Sequence, residues 1–168
     1  MNELFISDLD GTLLNSNAEL TDFTVNTINS LIEKGMFFTY ATARTEYSAG
    51  NITKRLNINV PCIVNNGAEI YDRQSGKYVR KADIPIDAVT TIINAFTENN
   101  VGMFMFKFKG EKFGTCYTDN LNELMQEYVR SRRKTGQPLW KCSDLHSEND
   151  GNVVYLTSTG DYEKLLPI

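Results

Sequence analysis

The sequence predicts an α/β protein, with a parallel sheet in its first half and an α+β unit in its second half. Two observations predict the parallel sheet. Strand-like and helix-like apolar patterns alternate over residues 4–64 in the order strand, helix, strand, helix, strand, which is typical of right-handed crossovers. Each strand-like run also ends in small or polar residues, and ligands bind outside the carboxyl ends of such strands.

The first strand leads directly into two carboxylates. Apolar residues 4–6 precede Asp8 and Asp10, and residues two apart on an extended chain point to the same side. We therefore expect a buried parallel strand whose carboxyl end directs both acids at one point. Two such carboxylates can bind a hard cation such as Mg²⁺, and one of them can attack phosphorus beside that charge.

Two other interpretations of this stretch compete with a phosphate site. A calcium loop that starts at Asp8 would place Glu19 at position 12, but Leu13 stands where glycine is needed and the flank is strand-like. An acidic turn that caps the next element is the structural alternative. Two carboxylates at a buried strand end repel each other unless a cation or a proton lies between them, which favours a functional role.

The next elements follow in order along the chain. Thr21 has the chemistry of an N-cap for a helix, and Gly35 suits the left-handed position at the end of that helix. Residues 36–41 predict the second strand, and a second helix follows within residues 47–56. The third strand is predicted at residues 62–64, directly after a proline.

The ends of the second and third strands add further candidate residues. Thr42 precedes a helix N-terminus, which favours a phosphate, although a threonine here can equally cap the helix. Arg44 can bind a phosphate bidentately or lie on the surface. Asn66 can contact a substrate or simply form a turn before Gly67. Because the three strand ends meet at one edge, we expect these residues to share a crevice with the two aspartates.

The pattern of the second half predicts a mixture of hairpins and helices. Residues 69–72 and 77–80 predict a β-hairpin, and a helix over residues 89–96 follows it. Residues 101–108 alternate Phe with Met and Lys, which is typical of a sheet packed on helices, and residues 113–118 predict the strand that pairs with them.

A further helix is predicted after Asp119, and its last turn carries four cations, Arg130, Arg132, Arg133 and Lys134. Cations at this end usually form a solvated surface that complements the helix dipole. Residues 143–152 predict a polar loop, residues 153–156 a strand, and Asp161 the start of another helix.

The composition excludes several classes of function. The net charge of −4 provides no electrostatic basis for binding nucleic acid, and no apolar run is long enough to span a bilayer. Residues 1–3 lack the features of a signal peptide, so the expected location is cytoplasmic. The three cysteines are widely spaced and His146 is the only histidine, so neither a disulfide framework, nor a zinc site, nor a histidine-based triad is expected.

Three motifs resemble the haloacid dehalogenase (HAD) superfamily of phosphohydrolases. The segment Asp-Leu-Asp-Gly-Thr-Leu-Leu at residues 8–14 matches its signature motif. Ala-Thr-Ala-Arg at residues 41–44 and Asn-Gly-Ala-Glu-Ile-Tyr at residues 66–71 are similar to the Cof-type branch, which has a type IIB cap. The resemblance implies a Rossmann-like core sheet and an α+β cap. We therefore assign residues 1–84 to the N-terminal part of the core and residues 85–168 to the cap.

The resemblance also implies a role for individual residues. Asp8 would be the nucleophile that forms an aspartyl-phosphate, and Asp10 would be the general acid and base. Mg²⁺ would be held by Asp8 and Asp10, the latter through its backbone carbonyl, and Thr42 would hydrogen-bond the transferring phosphoryl group. The other candidates for phosphate or substrate binding within these motifs are Leu9, Thr12, Ala43, Arg44 and Asn66.

The chain also departs from the family pattern. Ala43 stands where the branch usually has glycine. The lysine and the Gly-Asp-x-x-Asn-Asp segment expected after the cap are missing, because Lys164 and Leu165 stand where Asn and Asp should follow Gly160. We therefore expect a chain that lacks the C-terminal part of the core. Three explanations are open: the chain is truncated, the gene is degenerate, or another chain completes the fold.

Together these observations predict a Mg²⁺-dependent phosphohydrolase that acts on small phosphorylated metabolites, in a form that is weakly active by itself. The alternative is a non-catalytic binding module, or half of a fold that another chain completes. Neither a nucleic acid nor a membrane is an expected partner, and the sequence makes no prediction of the oligomeric state.

Overall fold

The computed structural model describes residues 3–160, 162–166 and 168. The chain divides into two compact units, one ending at Ala82 and the other beginning at Asp83. Each unit is described by itself below. The assignment of the units to a core and a cap stays a prediction.

The first unit contains the predicted order of strands and helices. Its elements are β1 (Leu4–Ser7), α1 (Asp22–Glu33), β2 (Phe37–Tyr40), α2 (Glu46–Ile52), β3 (Cys62–Val64), β4 (Glu69–Asp72) and β5 (Lys77–Lys81). The Thr21 hydroxyl accepts a hydrogen bond from the backbone N–H of Thr24 at 3.1 Å, so the predicted N-cap of α1 is confirmed.

The strands of the first unit align their carboxyl ends. β1 and β2 are parallel, with Ser7 opposite Tyr40. A parallel bridge between Ala41 and Ile63 joins β3 to the end of β2. β4 then pairs with β3, and β5 with β4, both antiparallel, which confirms the predicted hairpin. The parallel direction of the first three strands is confirmed as well.

The prediction that the first strand is buried is wrong. Leu4, Phe5 and Ile6 are 54%, 49% and 51% exposed. Within the part of the chain that the structure describes, β1 has only β2 as a neighbouring strand, so its other edge is not covered. The core of this unit lies instead between α1, α2 and the inner strands; its buried residues include Leu9, Val25, Ile28, Tyr40 and Val64.

The second unit is a four-stranded sheet with helices. Its elements are α3 (Ile86–Glu98), β6 (Phe104–Lys109), β7 (Lys112–Tyr117), α4 (Glu123–Thr135), β8 (Leu139–Lys141), β9 (Val153–Thr157) and the short α5 (Tyr162–Leu165). The strand order is β8-β7-β6-β9. The helix start predicted at Asp161 lies outside the described residues. No helix among the described residues is long and apolar enough to cross a bilayer.

The alternation of Phe and Met in β6 separates the two faces of this sheet. Phe104 and Phe106 lie against Tyr128 of α4, with ring centroids 4.8 and 6.4 Å apart. Met105 lies in a buried cluster with Val89 and Ile93 of α3. The predicted packing of this sheet on helices is therefore confirmed.

Two features of the second unit differ from the sequence prediction. β6 begins at Phe104 rather than at residue 101, because the N–H of Val101 bonds to the carbonyl of Phe96 at 2.9 Å and closes the end of α3. The three-residue strand β8, parallel to β7, was not predicted. A run of three residues around Trp140 is too short to show a strand period.

Candidate functional site

The segment after β1 presents two carboxylates on either side of a buried anchor. Leu9 is fully buried, whereas Asp8 and Asp10 are exposed. Gly11 adopts φ 74°, a left-handed conformation that glycine reaches without strain, and the N–H of Leu14 closes the turn on the carbonyl of Leu9 at 2.9 Å. The side chain of Leu9 therefore serves packing, and its backbone N–H donates to Oδ1 of Asp8, so a phosphate contact by Leu9 stays a prediction.

The carboxylate of Asp8 has one oxygen available. Its Oδ1 accepts a hydrogen bond from the backbone N–H of Leu9 at 2.7 Å. Among the residues that the structure describes, no group donates a hydrogen bond to Oδ2 of Asp8. An ionised carboxylate with one fixed and one open oxygen has the form that a nucleophile or a metal ligand requires.

The carboxylate of Asp10 has a different environment. Both of its oxygens accept hydrogen bonds from Arg44, with Nε 2.7 Å from Oδ2 and Nη2 2.6 Å from Oδ1. Nη1 of Arg44 also donates to the hydroxyl of Ser48 at 3.1 Å, which fixes the guanidinium. The hydrogen bonds and charge of Arg44 lower the pKa of Asp10 below its ordinary value.

Thr42 lies at the end of β2, where the phosphate contact is predicted. Its side chain is buried, and its Oγ1 accepts a hydrogen bond from the N–H of Arg44 at 3.2 Å. Because that bond uses the oxygen as an acceptor, the hydroxyl proton stays available for an oxyanion. Ala43 and Thr12 are exposed on their respective loops.

The loop after β3 is tied to the Thr42 loop by its backbone. Asn65, Asn66 and Gly67 all have positive φ, at 49°, 57° and 87°. The N–H of Asn65 bonds to the carbonyl of Arg44 at 3.0 Å, and the N–H of Asn66 bonds to the carbonyl of Thr42 at 3.1 Å. The structure thus brings the second and third strand ends together, with the side chain of Asn66 exposed beside them.

Sequence reasoning gave no role to Glu69, which supports this loop. Its side chain is fully buried, and its Oε2 accepts a hydrogen bond from the side-chain amide of Asn65 at 2.5 Å. This hydrogen bond holds the left-handed Asn65 in place. Its burial could not be read from the sequence, because β4 begins with Glu69 and ends with a second acid, Asp72.

Another acid with an altered pKa is Glu46, the first residue of α2. Burial raises the pKa of Glu46 to about 7, and a hydrogen bond from the hydroxyl of Tyr78 partly opposes this shift. The carboxyl therefore titrates near neutral pH.

The donor set fits a magnesium ion only in part. Among the described residues no group of three or more His, Cys, Asp or Glu side chains is arranged to hold a metal ion. Mg²⁺ keeps several waters and needs only one or two protein carboxylates beside a substrate phosphate. The open oxygen of Asp8 meets that requirement, whereas Arg44 occupies the carboxylate of Asp10.

Comparison with known proteins matches this chain to a family of hydrolases. The sequence profile described as haloacid dehalogenase-like hydrolase matches residues 5–166. An HMP-PP phosphatase from Serratia proteamaculans is 28% identical over 110 residues, which cover 66% of this chain and 40% of the relative. Two Buchnera aphidicola relatives are aligned over 32% and 26% of their own length, so the chain spans well under half of these three relatives.

Solved structures share the fold of the whole chain. The structure of a haloacid dehalogenase-like hydrolase from Bacteroides thetaiotaomicron has a TM-score of 0.76 and 21% identity, covering 99% of this chain and 61% of that one. The structure of a HAD subclass IIB sugar phosphatase has a TM-score of 0.69 and 16% identity, and the match covers 99% of this chain and 62% of that one. The predicted fold class is therefore confirmed.

Proposed function

The chain belongs to the haloacid dehalogenase-like hydrolase family, and we propose that it acts as a Mg²⁺-dependent phosphohydrolase through an aspartyl-phosphate on Asp8. The observation that carries the proposal is the pair of unlike carboxylates after β1. Asp8 offers an open oxygen, and Asp10, two residues later, is held by Arg44. Thr42 stands at the end of the adjacent strand with a hydroxyl proton available.

In the first step, Oδ2 of Asp8 attacks the phosphorus of a phosphate monoester. Asp10, after it has left Arg44 and taken a proton from solvent, gives that proton to the leaving alkoxide as the bond from phosphorus to the ester oxygen breaks. In the second step, Asp10 takes a proton from a water that attacks the same phosphorus, and the bond to Asp8 breaks. Phosphate leaves, Asp10 returns its proton to solvent, and both carboxyl groups regain their initial states.

Positioning and charge neutralisation do most of the work in phosphoryl transfer. The hydroxyl of Thr42 would donate to an oxygen of the transferring group. Asp8 and the backbone carbonyl of Asp10 would hold Mg²⁺, which when bound neutralises charge on that group. In this mechanism Asp10 must release Arg44 in order to carry a proton, because the ion pair favours the ionised form.

The proposed substrates are small phosphorylated metabolites, and the second unit is proposed to be the cap domain of the family. The name of the HMP-PP phosphatase relative supports a small phosphorylated substrate. The relatives are longer than the aligned chain, so their activity supports the proposal at the level of the reaction class.

The test is hydrolysis of p-nitrophenyl phosphate with Mg²⁺ by this chain and by Asp8→Asn. Asp8→Asn is expected to lower turnover by about three orders of magnitude or more, since it removes the nucleophile but keeps the shape. Asp83→Asn, a change of an exposed acid in the second unit, is the matched control and should leave turnover unchanged.

Two outcomes would overturn parts of this proposal. Turnover retained by Asp8→Asn would exclude Asp8 as the nucleophile. Saturable NMR shifts at Asp8 and Thr42 on addition of inorganic phosphate, without turnover and with Mg²⁺ present, would favour the alternative function, a non-catalytic binding module.

A further inference from the structure

The second unit contains a cavity that the proposed mechanism does not use. Its volume is about 280 Å³, and it lies between α4 and the ends of β7 and β8. Cations from two elements line it: Arg130 and Arg133 from α4, and Lys141 from β8. Asp119 is the only carboxylate in its lining. Three cations and one carboxylate give the cavity a net charge of +2, on a chain whose net charge is −4.

The spacing along α4 directs these cations to one side. Gln126, Val129, Arg130 and Arg133 stand at positions i, i+3, i+4 and i+7, which form one face of a helix. Val129 is buried and supplies an apolar floor. The two guanidinium groups therefore face the same space.

The other cations of the same helix end do not line this cavity. Arg132 lies over the ring of Tyr128, 4.9 Å from its centroid. Lys134 is exposed and also lies outside the lining. The helix dipole favours all the cations of the last turn, but it does not explain why Lys141, on a different element, converges with only two of them.

Neighbouring groups hold the cavity cations in position. Nη2 of Arg133 donates a hydrogen bond to the hydroxyl of Tyr117 at 3.0 Å, and the ring of Tyr117 is buried. Nζ of Lys141 lies 2.7 Å from Oδ1 of Asp119, whose side chain is 87% exposed. Among the described residues, Arg130 has neither a hydrogen bond nor an ion pair, so its guanidinium is free to bind a ligand.

We propose that this cavity binds a phosphate dianion, either free phosphate or the phosphate group of a monoester. Planar guanidinium groups bind phosphate oxygens bidentately, and a lysine adds a compact charge. The cavity is large enough for one such group, and its net positive charge favours an anion over a cation. This inference stands on the second unit alone and does not depend on the proposed phosphatase reaction.

The experiment is a titration of the full chain with inorganic phosphate, followed residue by residue in ¹H–¹⁵N NMR spectra at constant ionic strength. Saturable shifts are expected at the amides of Tyr117, Arg130, Arg133 and Lys141. Methylphosphonate, which cannot be hydrolysed, provides the second arm. Equal affinity for both ligands indicates a site that accepts monoesters, whereas binding of phosphate alone indicates a site for the free ion; either result supports the proposal.

Substitutions separate binding at this cavity from general screening. Arg130→Gln is expected to weaken phosphate binding on the order of tenfold, because it removes one charged, bidentate donor. Lys134→Gln makes the same charge change outside the cavity and should leave the affinity within about twofold. Should Arg133→Gln disturb Tyr117, Arg130→Gln still tests the proposal, since Arg130 has no structural partner.

Three results would overturn the inference. They are the lack of saturable shifts at the cavity, equal weakening by Arg130→Gln and Lys134→Gln, and saturation by chloride at matched ionic strength. Shifts at Asp8 and Thr42 in the same spectra report on the other unit. Loss of phosphate binding at the cavity can therefore be distinguished from loss of binding at the site around Asp8 and Thr42.

Discussion

Arg44 binds both carboxylate oxygens of Asp10, at 2.7 Å through Nε and 2.6 Å through Nη2, across 34 positions of sequence. The pair links the end of β1 to the loop after β2. It also places a fixed positive charge beside Asp10, the residue that transfers protons in the proposed mechanism. Since the Asp10 side chain is half exposed, the pair contributes only about 0–1 kcal/mol to stability. Its larger effect is to lower the pKa of Asp10.

Arg44→Gln is expected to raise the pKa of Asp10 toward its ordinary value, because the hydrogen bonds and charge of Arg44 are lost. The measurement is a carboxyl ¹³C titration of Asp10.

The pH dependence of stability follows from the lowered pKa of Asp10 in the folded state. The pair stabilises the fold above the pKa of the unfolded chain, and this contribution is lost as the pH falls through the folded value. Ser48→Ala, which keeps the ion pair, is the control, and an unchanged midpoint in Arg44→Gln would contradict the assignment.

Glu46→Gln is expected to stabilise the first unit at high pH. The folded pKa of Glu46, about 7, exceeds the ordinary value of 4.5, so the folded state binds more protons between these two values. The stability of the native chain therefore falls as the pH rises from 4.5 to 7, and the Gln variant escapes this loss. We expect its advantage to grow by about 2 kcal/mol between pH 4 and pH 8.

Denaturant unfolding at several pH values, followed by circular dichroism, measures this difference. Glu33→Gln, a change of an exposed acid on α1, is the matched control and should show no comparable trend. A constant difference between Glu46→Gln and the native chain over this range would show that Glu46 does not titrate as described.

Lys107→Met is expected to destabilise the second unit by about 2 kcal/mol. Lys107 is almost fully buried in β6, and its ammonium lies 2.9 Å from Asp150 and donates to the backbone carbonyl of Glu148 at 2.5 Å. Methionine fills similar space but leaves these acceptors without their cation, although the partial exposure of Asp150 reduces the loss.

The fluorescence of Trp140, the only tryptophan, reports unfolding of this unit directly. Lys109→Met is the comparison, because Lys109 pairs with Glu148 at 2.7 Å from a more exposed position. Its loss should be about 1 kcal/mol or less. A larger effect at Lys109 than at Lys107 would refute the argument from burial.

Gly102→Ala is expected to destabilise the second unit by about 3 kcal/mol. An added Cβ would lie 1.8 Å from the backbone oxygen of Asn120, and a backbone atom cannot move aside as a flexible side chain can. Gly50→Ala is the matched control. No atom lies within 4 Å of a Cβ there, and Gly50 is inside α2, so alanine should stabilise the first unit by about 0.5–1 kcal/mol. Thermal unfolding of each variant measures both effects, and tolerance of alanine at residue 102 would contradict the close approach.

The sequence by itself determined the order of the strands and helices in the first unit. It also determined which strands end in polar residues. The periods of strands and helices are local, so the order of β1 to β3 and the placement of Asp8, Asp10 and Thr42 at strand ends were predictable. The resemblance to the family was also available from a short motif. The roles of these residues in catalysis stay predictions.

Only the tertiary structure decided which partner each charged group takes. The sequence left Arg44 compatible with a phosphate contact or a surface position, and folding placed it on Asp10. The burial of Glu69, the exposure of β1 and the convergence of Lys141 with Arg130 were likewise not predictable. The physical reason is that ion pairs and burial depend on distances between segments far apart in sequence, and local periodicity carries no information about those distances.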